Sequence, residues 1–417
     1  MRVLLVSDNY PPNRDGVATS VASLAAGLHE AGHDVAVLAP RAGTPMSAER
    51  HATYLAPSFA TGQGGYRFGW LSPKALARIV RHHRPDVVHI HTLGSLGLQA
   101  AKHCRRSGLK CVLTWHTDLL AYREAYPVLK LGIPVIYANS LLPHNVPGTA
   151  KTLGRTALAT LAGDNITPHY RQMLSTVAAP FERIIVPSEK TASAVLEMVP
   201  TCAPCVIPSA AVRHGPLDRP SMRRLQAMQK LMHHGESVIA YVGRISSEKN
   251  VETLLRTLAR EVLPAVPDAK LNIIGDGRRA AYERLVRALG ITHAVAFTGP
   301  APPEHVGHLL GSCGVLAHPS LTETQGLVIA EAALAGVPAV VLDTQLEGVV
   351  RNGHTGYVAD SVDGFGAALV HLLERPDIRK QLGVNAQNLA FEYTSAQYAS
   401  RVIDVYDEVT GSRRPLA

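Results

Sequence analysis

The sequence predicts an α/β protein of two domains, and three observations carry this prediction. At 417 residues the chain is too long for one ordinary hydrophobic core. Short apolar runs alternate with stretches of helical periodicity, which is typical of parallel sheets covered by helices on both faces. A stretch rich in proline and small residues, 199–220, separates two such series.

The first series begins at the N-terminus. Strands are expected at RVLLVS (2–7), DVAVLAP (34–40), PDVVHIH (85–91), CVLTWH (111–116) and RIIVPS (183–188). Between the first two, Val21, Leu24, Ala25 and Leu28 recur at helical spacing. Ser188 is a suitable N-cap for the helix that follows.

The second series supplies five further strands, at SVIAYVG (237–243), KLNIIG (270–275), AVAFTG (294–299), GVLAHPS (314–320) and VPAVVLD (337–343). We therefore expect an N-terminal domain at 1–200 and a C-terminal domain at 205–394. A last helical segment, 395–417, follows the second sheet, and its docking back on the N-terminal domain is an open alternative.

One segment breaks this alternation. Residues 126–183 are apolar, dotted with lysine and arginine, and interrupted by prolines. Helices that cover a pocket and helices that touch a membrane interface share this character. The Cys202-x-x-Cys205 pair has no second pair at ligand spacing, so neither a metal site nor a redox function is expected there.

The composition narrows the partners and the compartment. A net charge of +8 favours anionic ligands, while the absence of a nucleic-acid motif argues against nucleic acid. Five cysteines give no disulfide framework, the N-terminal apolar run is too short for a secretory signal, and no stretch is long enough to span a membrane. A cytoplasmic protein is expected, with peripheral contact to a membrane as an alternative.

Ligands of open parallel sheets bind at the carboxyl ends of the strands, so the loops there carry the candidate residues. Gly16 precedes the first helix and His116 follows a strand. Arg244 and Lys249 lie in one such loop, where two cations suit a diphosphate.

The stretch SLTETQGLVIAEAALAGVP (320–338) carries the most chemistry. A helix beginning near Thr324–Gly326 would present the backbone N–H groups of Gln325, Gly326, Leu327 and Val328 to an anion. Glu323 would repel a phosphate, so it is expected to accept hydrogen bonds from sugar hydroxyls. Glu331, inside an apolar helix, needs donors that a ribose diol supplies. A nucleotide-sugar fits this layout.

These motifs resemble family 4 of the retaining glycosyltransferases. Residues 320–338 are similar to its E-x7-E signature, VGRISSEKN to its arginine–lysine loop, NYPPNRDGVATSV to its glycine loop and TWHTDLLAY to its histidine loop. The resemblance implies the GT-B fold, with two Rossmann-like domains facing across a cleft. One departure is Asp15, where many members have glycine.

The resemblance also implies roles for residues. His116, Arg244, Lys249 and Glu323 would be catalytic, and Gly16, Thr324 to Val328 and Glu331 would join the donor-binding set. We interpret the following residues as acceptor-side candidates: Asp15, Asp118, Tyr122, His144 and Asn145. No D-x-D triplet occurs, so neither a metal nor a cofactor is expected.

The sequence thus predicts an enzyme that transfers a hexosyl or N-acetylhexosaminyl group, with retention, from a UDP-sugar to a small polar acceptor of the aminocyclitol or inositol type. Transfer to a lipid at a membrane surface is one alternative. A sugar-nucleotide epimerase or hydrolase on the same fold and an inactive sugar-nucleotide-binding module are others. Nothing in the sequence indicates the oligomeric state.

Overall fold

A computed structural model describes residues 1–13, 15–42, 51–60, 67–117, 134–135, 137–138, 149–163, 165–178, 181–200, 202–211, 216–346 and 349–412. The chain forms two compact units. Unit 1 comprises Met1–Ser209 and Ser395–Ala417, and unit 2 comprises Ala210–Thr394.

The strands of the described residues follow one another in chain order as β1 Arg2–Val6, β2 Asp34–Pro40, β3 Ala52–Ala56, β4 Ser58–Ala60, β5 Arg67–Gly69, β6 Val87–Ile90, β7 Cys111–Thr114, β8 Arg183–Val186, β9 Cys205–Val206, β10 Val238–Val242, β11 Lys270–Ile274, β12 Val295–Gly299, β13 Val315–His318, β14 Ala339–Val341 and β15 Gly356–Val358.

The helices are α1 Gly16–Glu30, α2 Pro73–His83, α3 Ser95–Ser107, α4 Thr149–Ala162, α5 Thr167–Ala178, α6 Glu189–Met198, α7 Arg219–Gln229, α8 Val251–Thr257, α9 Arg279–Ala288, α10 Pro303–Leu310, α11 Leu327–Leu334, α12 Val362–Glu374, α13 Pro376–Ala390 and α14 Ser395–Thr410. A π-helical stretch, Leu258–Val262, and a helical turn, Leu263–Ala265, extend α8.

Unit 1 is built on a seven-stranded parallel sheet in the order β3-β2-β1-β6-β7-β8-β9. Its interior strand β1 is buried from Val3 to Val6, because helices cover both faces of the sheet. β4 and β5 form a separate antiparallel pair.

The last helix of the chain belongs to unit 1. α14 packs against α1 so closely that a Cβ on Gly27 would lie 2.4 Å from the Ser395 carbonyl oxygen. Ser20 and Tyr398 join the two helices by a hydrogen bond of 3.1 Å. Residue 27 therefore has to be glycine for the helices to approach in this way.

Unit 2 contains a six-stranded parallel sheet in the order β12-β11-β10-β13-β14-β15. Leu254, Leu258, Leu271, Phe365 and Leu369 are fully buried on one side of it. α11 lies after β13, so its N-terminus stands at the carboxyl end of the sheet, together with the loop that follows β10.

The α/β prediction is confirmed, and every strand expected from the sequence is present. The sequence analysis missed β3 to β5, β9 and β15. Except for β3, these are strands of two or three residues, too short to show a period. Ser188 caps α6 as expected, by accepting a hydrogen bond from the Thr191 amide.

Within the segment 126–183, the described residues include the helices α4 and α5. Helices were expected there from the sequence, which left open whether they cover a pocket or touch a membrane interface. No helix among the residues that the structure describes is long and apolar enough to cross a membrane.

Candidate active site

The loop after β10 is held in place by hydrogen bonds from side chains to backbone carbonyls. The Tyr241 hydroxyl donates a hydrogen bond of 2.6 Å to the Arg244 carbonyl, and Asn250 Nδ2 donates one of 3.2 Å to the Pro319 carbonyl at the end of β13. Thr322 Oγ1 donates to the Glu248 carbonyl at 3.3 Å. The two loops at the carboxyl ends of β10 and β13 are therefore tied to each other within unit 2.

The two cations of this loop lie in different surroundings. Arg244 Nη2 lies 3.5 Å from Glu248 Oε1, and 45% of the Arg244 side chain is exposed. Lys249 instead forms an ion pair with Glu323 Oε1, and only 13% and 15% of these two side chains are exposed. The pair joins the arginine–lysine loop to the first acid of the E-x7-E signature.

Glu323 is held as an anion. Burial alone would raise its pKa, but the charge of Lys249 and the neighbouring His318 outweigh this effect and hold the pKa well below its ordinary value. His318 Nε2 lies 3.5 Å from the same carboxylate oxygen. Glu323 is therefore an acceptor of hydrogen bonds at any pH at which the protein would be used.

α11 begins at Leu327, where the sequence analysis expected a helix to begin, and Gly326 is its N-cap. Gly326 has a φ of 74°, in the left-handed region, and a Cβ there would lie 2.8 Å from Ile329 Cδ1. The positive φ is what favours glycine here, because the tip of the Ile329 side chain could move away from a Cβ. As a glycine, this N-cap has no side chain that could cap the helix. The backbone around Thr324, Gln325, Leu327 and Val328 thus forms a helix N-terminus suited to an anion.

Glu331 lies on α11, a little more than one turn from its start. Although part of the side chain reaches solvent, burial raises its pKa to about 7. The two acids of the signature therefore differ in charge near pH 7, because Glu323 has Lys249 beside it whereas burial shifts the pKa of Glu331.

In unit 1, Asp15 and Gly16 open α1. Asp15 is the N-cap, and its Oδ1 accepts a hydrogen bond of 2.9 Å from the Ala18 amide. Asp15 Oδ2 accepts a second hydrogen bond from Asn9 Nδ2. Gly16 is the first residue of the helix and is exposed. The departure from glycine at position 15 thus places a carboxylate on the N-terminus of α1.

Asp8, which the sequence analysis did not single out, is fully buried just after β1. Its carboxylate accepts hydrogen bonds from the Thr92 and Ser95 hydroxyls at 2.7 and 2.9 Å, and from the Leu96 and Gly97 amides at 2.7 and 3.2 Å. Burial raises the pKa of Asp8, and these four donors oppose the rise. Asp8 anchors the start of α3, and its place at a strand end was the signal that could have identified it.

His116 lies just beyond β7, beside two further histidines. Its Nε2 lies 3.0 Å from His91 Nδ1, and the two rings stack with centroids 5.3 Å apart. The His91 ring in turn lies 4.1 Å from that of His89. Burial lowers the pKa of His116 to about 4. The sequence analysis identified His116 and missed the histidines behind it.

The remaining acceptor-side candidates, Asp118, Tyr122, His144 and Asn145, lie outside the residues that the structure describes. Of the candidate residues, the structure brings Lys249, Glu323 and the N-terminus of α11 together in unit 2, and it places Asp15, Gly16 and His116 in unit 1.

Two family models match the chain and together cover most of it. The model described as glycosyl transferases group 1 matches residues 236–375, and the model described as Glycosyltransferase Family 4 matches residues 14–211.

Three relatives have described activities. The α-monoglucosyldiacylglycerol synthase of Acholeplasma laidlawii is 27% identical over 97% of this chain and 96% of its own length. The D-inositol 3-phosphate glycosyltransferase of Rhodococcus erythropolis is 32% identical over 63% of this chain and 61% of its own. The GDP-mannose-dependent α-mannosyltransferase of Mycolicibacterium smegmatis is 27% identical over 99% of both chains.

Solved structures share the fold. HepE of Anabaena, in complex with UDP, superposes with a TM-score of 0.68 at 16% identity, over 98% of this chain and 100% of its own. Sucrose-phosphate synthase of Thermosynechococcus elongatus superposes with a TM-score of 0.72 at 16% identity, over 99% and 100%. With the family models and the relatives, these likenesses show that the chain is a glycosyltransferase of family 4 with the GT-B fold.

Proposed function

We propose that this enzyme transfers a hexosyl or N-acetylhexosaminyl group, with retention, from a UDP-sugar to a hydroxyl of a small polar acceptor. The observation that carries the proposal is the Lys249–Glu323 ion pair beside the N-terminus of α11, whose N-cap is Gly326. It puts a cation, a set of backbone donors and a permanent carboxylate together in one unit. The cation and the backbone donors suit a diphosphate, and the carboxylate accepts hydrogen bonds from the hydroxyls of a sugar.

The cations stabilise the leaving group. As the glycosidic bond breaks, negative charge develops on the diphosphate. Arg244, half exposed on its loop, and Lys249 are the cationic side chains that we assign to it, with the helix N-terminus behind. Because these groups already supply positive charge and no D-x-D triplet occurs, we propose that no divalent cation is required.

Glu323 and Glu331 bind the two sugars of the donor. Glu323, held ionised by Lys249, accepts hydrogen bonds from the transferred sugar. Glu331 accepts them from the ribose diol, and with a pKa of about 7 it gains this ability as the pH rises through neutrality. UDP is our choice of nucleotide, and the complex of HepE with UDP is consistent with it.

Asp15 supports a polar acceptor that carries no phosphate at this position. The N-terminus of α1 would otherwise attract an anion, but the Asp15 carboxylate already occupies it. A phosphate placed there would meet a like charge. A neutral hydroxyl or an amine would not, which is why we propose an acceptor of the inositol or aminocyclitol type.

A second candidate function is transfer to a membrane lipid, and one surface favours it. Phe59, Phe68 and Trp70 are 63%, 44% and 57% exposed, and the first two rings stack at 5.2 Å. A Cβ on Gly69 would lie 3.0 Å from Leu96 Cδ1, so the Gly69 face of β5 packs inward and the aromatic face is turned to solvent. Exposed cations follow on α2, namely Lys74, Arg78 and Arg81. Aromatic and basic side chains together suit a lipid interface, and one relative is a monoglucosyldiacylglycerol synthase.

Calorimetry with a panel of UDP- and GDP-sugars, followed by mass spectrometry of the products formed with polar and lipid acceptors, tests the proposal. We expect a glycosylated polar product and tighter binding of a UDP-sugar. An isomerised or hydrolysed donor without a glycosylated product would identify an epimerase or a hydrolase, and a glycolipid product would establish the second candidate.

A matched variant tests the acceptor argument. Asparagine caps a helix as well as aspartate does, so Asp15→Asn removes the charge and keeps the cap. We expect wild type to prefer inositol over inositol 3-phosphate and the variant to lose most of this preference. An unchanged preference would remove Asp15 from acceptor selection.

A further inference from the structure

Two neutral histidines face each other at the carboxyl end of the unit 1 sheet. His91 follows β6, His116 follows β7, and His91 Nδ1 lies 3.0 Å from His116 Nε2. This distance is that of a normal hydrogen bond. Burial lowers the pKa of His116 to about 4 and that of His91 well below its ordinary value, so both rings are neutral near pH 7. One of the two facing nitrogens must therefore donate a proton to the other.

The far side of His91 decides which nitrogen donates. Its Nε2 is buried and has no hydrogen-bond partner among the residues that the structure describes. If Nδ1 were the acceptor, the ring proton would lie on Nε2 as an orphan buried N–H, and such groups are rare in folded proteins. An unprotonated Nε2, which is an acceptor without a donor, is the less costly arrangement. His91 Nδ1–H therefore donates to His116 Nε2.

The neighbours of His91 hold it in this position. Its backbone amide donates to the Val6 carbonyl at 2.9 Å. Its ring lies against that of His89, which is fixed by hydrogen bonds of 2.6 Å to the Tyr406 hydroxyl and of 2.6 Å to Thr114 Oγ1. Residues of β7 and α14 thus fix the His89 ring, and the His89 ring packs against His91.

We propose that His91 is a positioning residue, which fixes His116 in the tautomer that carries its proton on Nδ1. In that tautomer neither ring nitrogen of His116 is a base for the attacking hydroxyl, because Nε2 accepts from His91 and Nδ1 carries the proton. The consequence for transfer rests on the proposed function, which places His116 beside the transferred sugar. The tautomer itself depends only on unit 1.

Nitrogen NMR of ¹⁵N-histidine-labelled enzyme reads the tautomer without any substrate. Asparagine and leucine have nearly the same shape, but only asparagine can donate to His116 Nε2, so His91→Asn and His91→Leu are a matched pair. We expect Nδ1 of His116 to be protonated in wild type and in His91→Asn, and a mixture of tautomers in His91→Leu. A proton on Nε2 in wild type, or an unchanged tautomer in His91→Leu, would overturn the proposal.

Kinetics add a second readout. The loss of one neutral hydrogen bond changes a rate about two- to tenfold. We therefore expect His91→Leu to lower kcat by that factor and to leave the donor KM little changed. The kcat of His91→Asn should be near that of wild type. Equal losses in the two variants, with equal denaturation midpoints, would contradict a positioning role. An enzyme that glycosylates no acceptor but shows the expected tautomer would refute the proposed function and leave the histidine pair as described.

Discussion

Replacing Lys249 with alanine should destabilise unit 2 and slow transfer for separate reasons. The substitution leaves the Glu323 carboxylate largely buried without its cation. Removing one partner of a buried pair costs roughly 3–5 kcal/mol. Since 13% and 15% of the two side chains remain exposed, we expect the lower end of that range. Turnover should fall about a hundredfold or more, because a charge that stabilises the leaving group is lost.

A double-mutant cycle separates the two effects. Glu323→Gln alone removes the partner of Lys249, and the double variant Lys249→Ala with Glu323→Gln leaves no unpaired charge. Urea unfolding should show the double variant to be more stable than Lys249→Ala, whereas its turnover should stay low. A Lys249→Ala enzyme with the wild-type urea midpoint and near-normal turnover would refute both the buried pair and its role.

The pH dependence gives an independent check. In wild type, the pKa of Glu323 lies below its unfolded value of 4.5, so the pair stabilises the fold above that pH and its contribution is lost as the pH falls further. In Lys249→Ala, burial dominates and raises this pKa. The free energy of unfolding of the variant should therefore fall as the pH rises from about 4.5. Over the same pH range, the contribution of Glu323 to the stability of wild type should change little.

The remaining predictions concern turnover, metal, pH and membranes. Arg244→Ala should lower kcat about a hundredfold, measured beside Arg256→Ala, an exposed arginine paired with an acid four residues away; near-normal activity would remove Arg244 from the mechanism. Excess EDTA should leave transfer largely intact, and a loss restored by Mn²⁺ or Mg²⁺ would refute the metal-free proposal. The donor KM should rise as the pH falls through about 7, because Glu331 becomes protonated, and Glu331→Gln should abolish this dependence. Sedimentation with anionic liposomes should show little binding; strong binding that Trp70→Ser abolishes, with transfer to lipid, would favour the second candidate.

The sequence predicts elements better than it predicts contacts. Each buried strand shows as a local apolar run, whereas the pair of Lys249 and Glu323 joins residues 74 positions apart, and no local pattern reports such a pair. The short apolar run PDVVHIH predicted a strand. That His91 would meet a histidine from the next strand depends on the order of β6 and β7 in the sheet. Asp8 was overlooked because a single acid after a strand resembles any loop residue.

The E-x7-E signature itself shows what a motif leaves out. Its two acids are identical in type and lie on either side of one helix start, yet the surroundings give them opposite properties. Lys249 keeps Glu323 ionised, while burial raises the pKa of Glu331 to about 7. We therefore expect contacts to the transferred sugar to be insensitive to pH, and contacts to the ribose to strengthen between pH 6 and 8. Spacing locates the acids, and the charge beside each of them decides what it does.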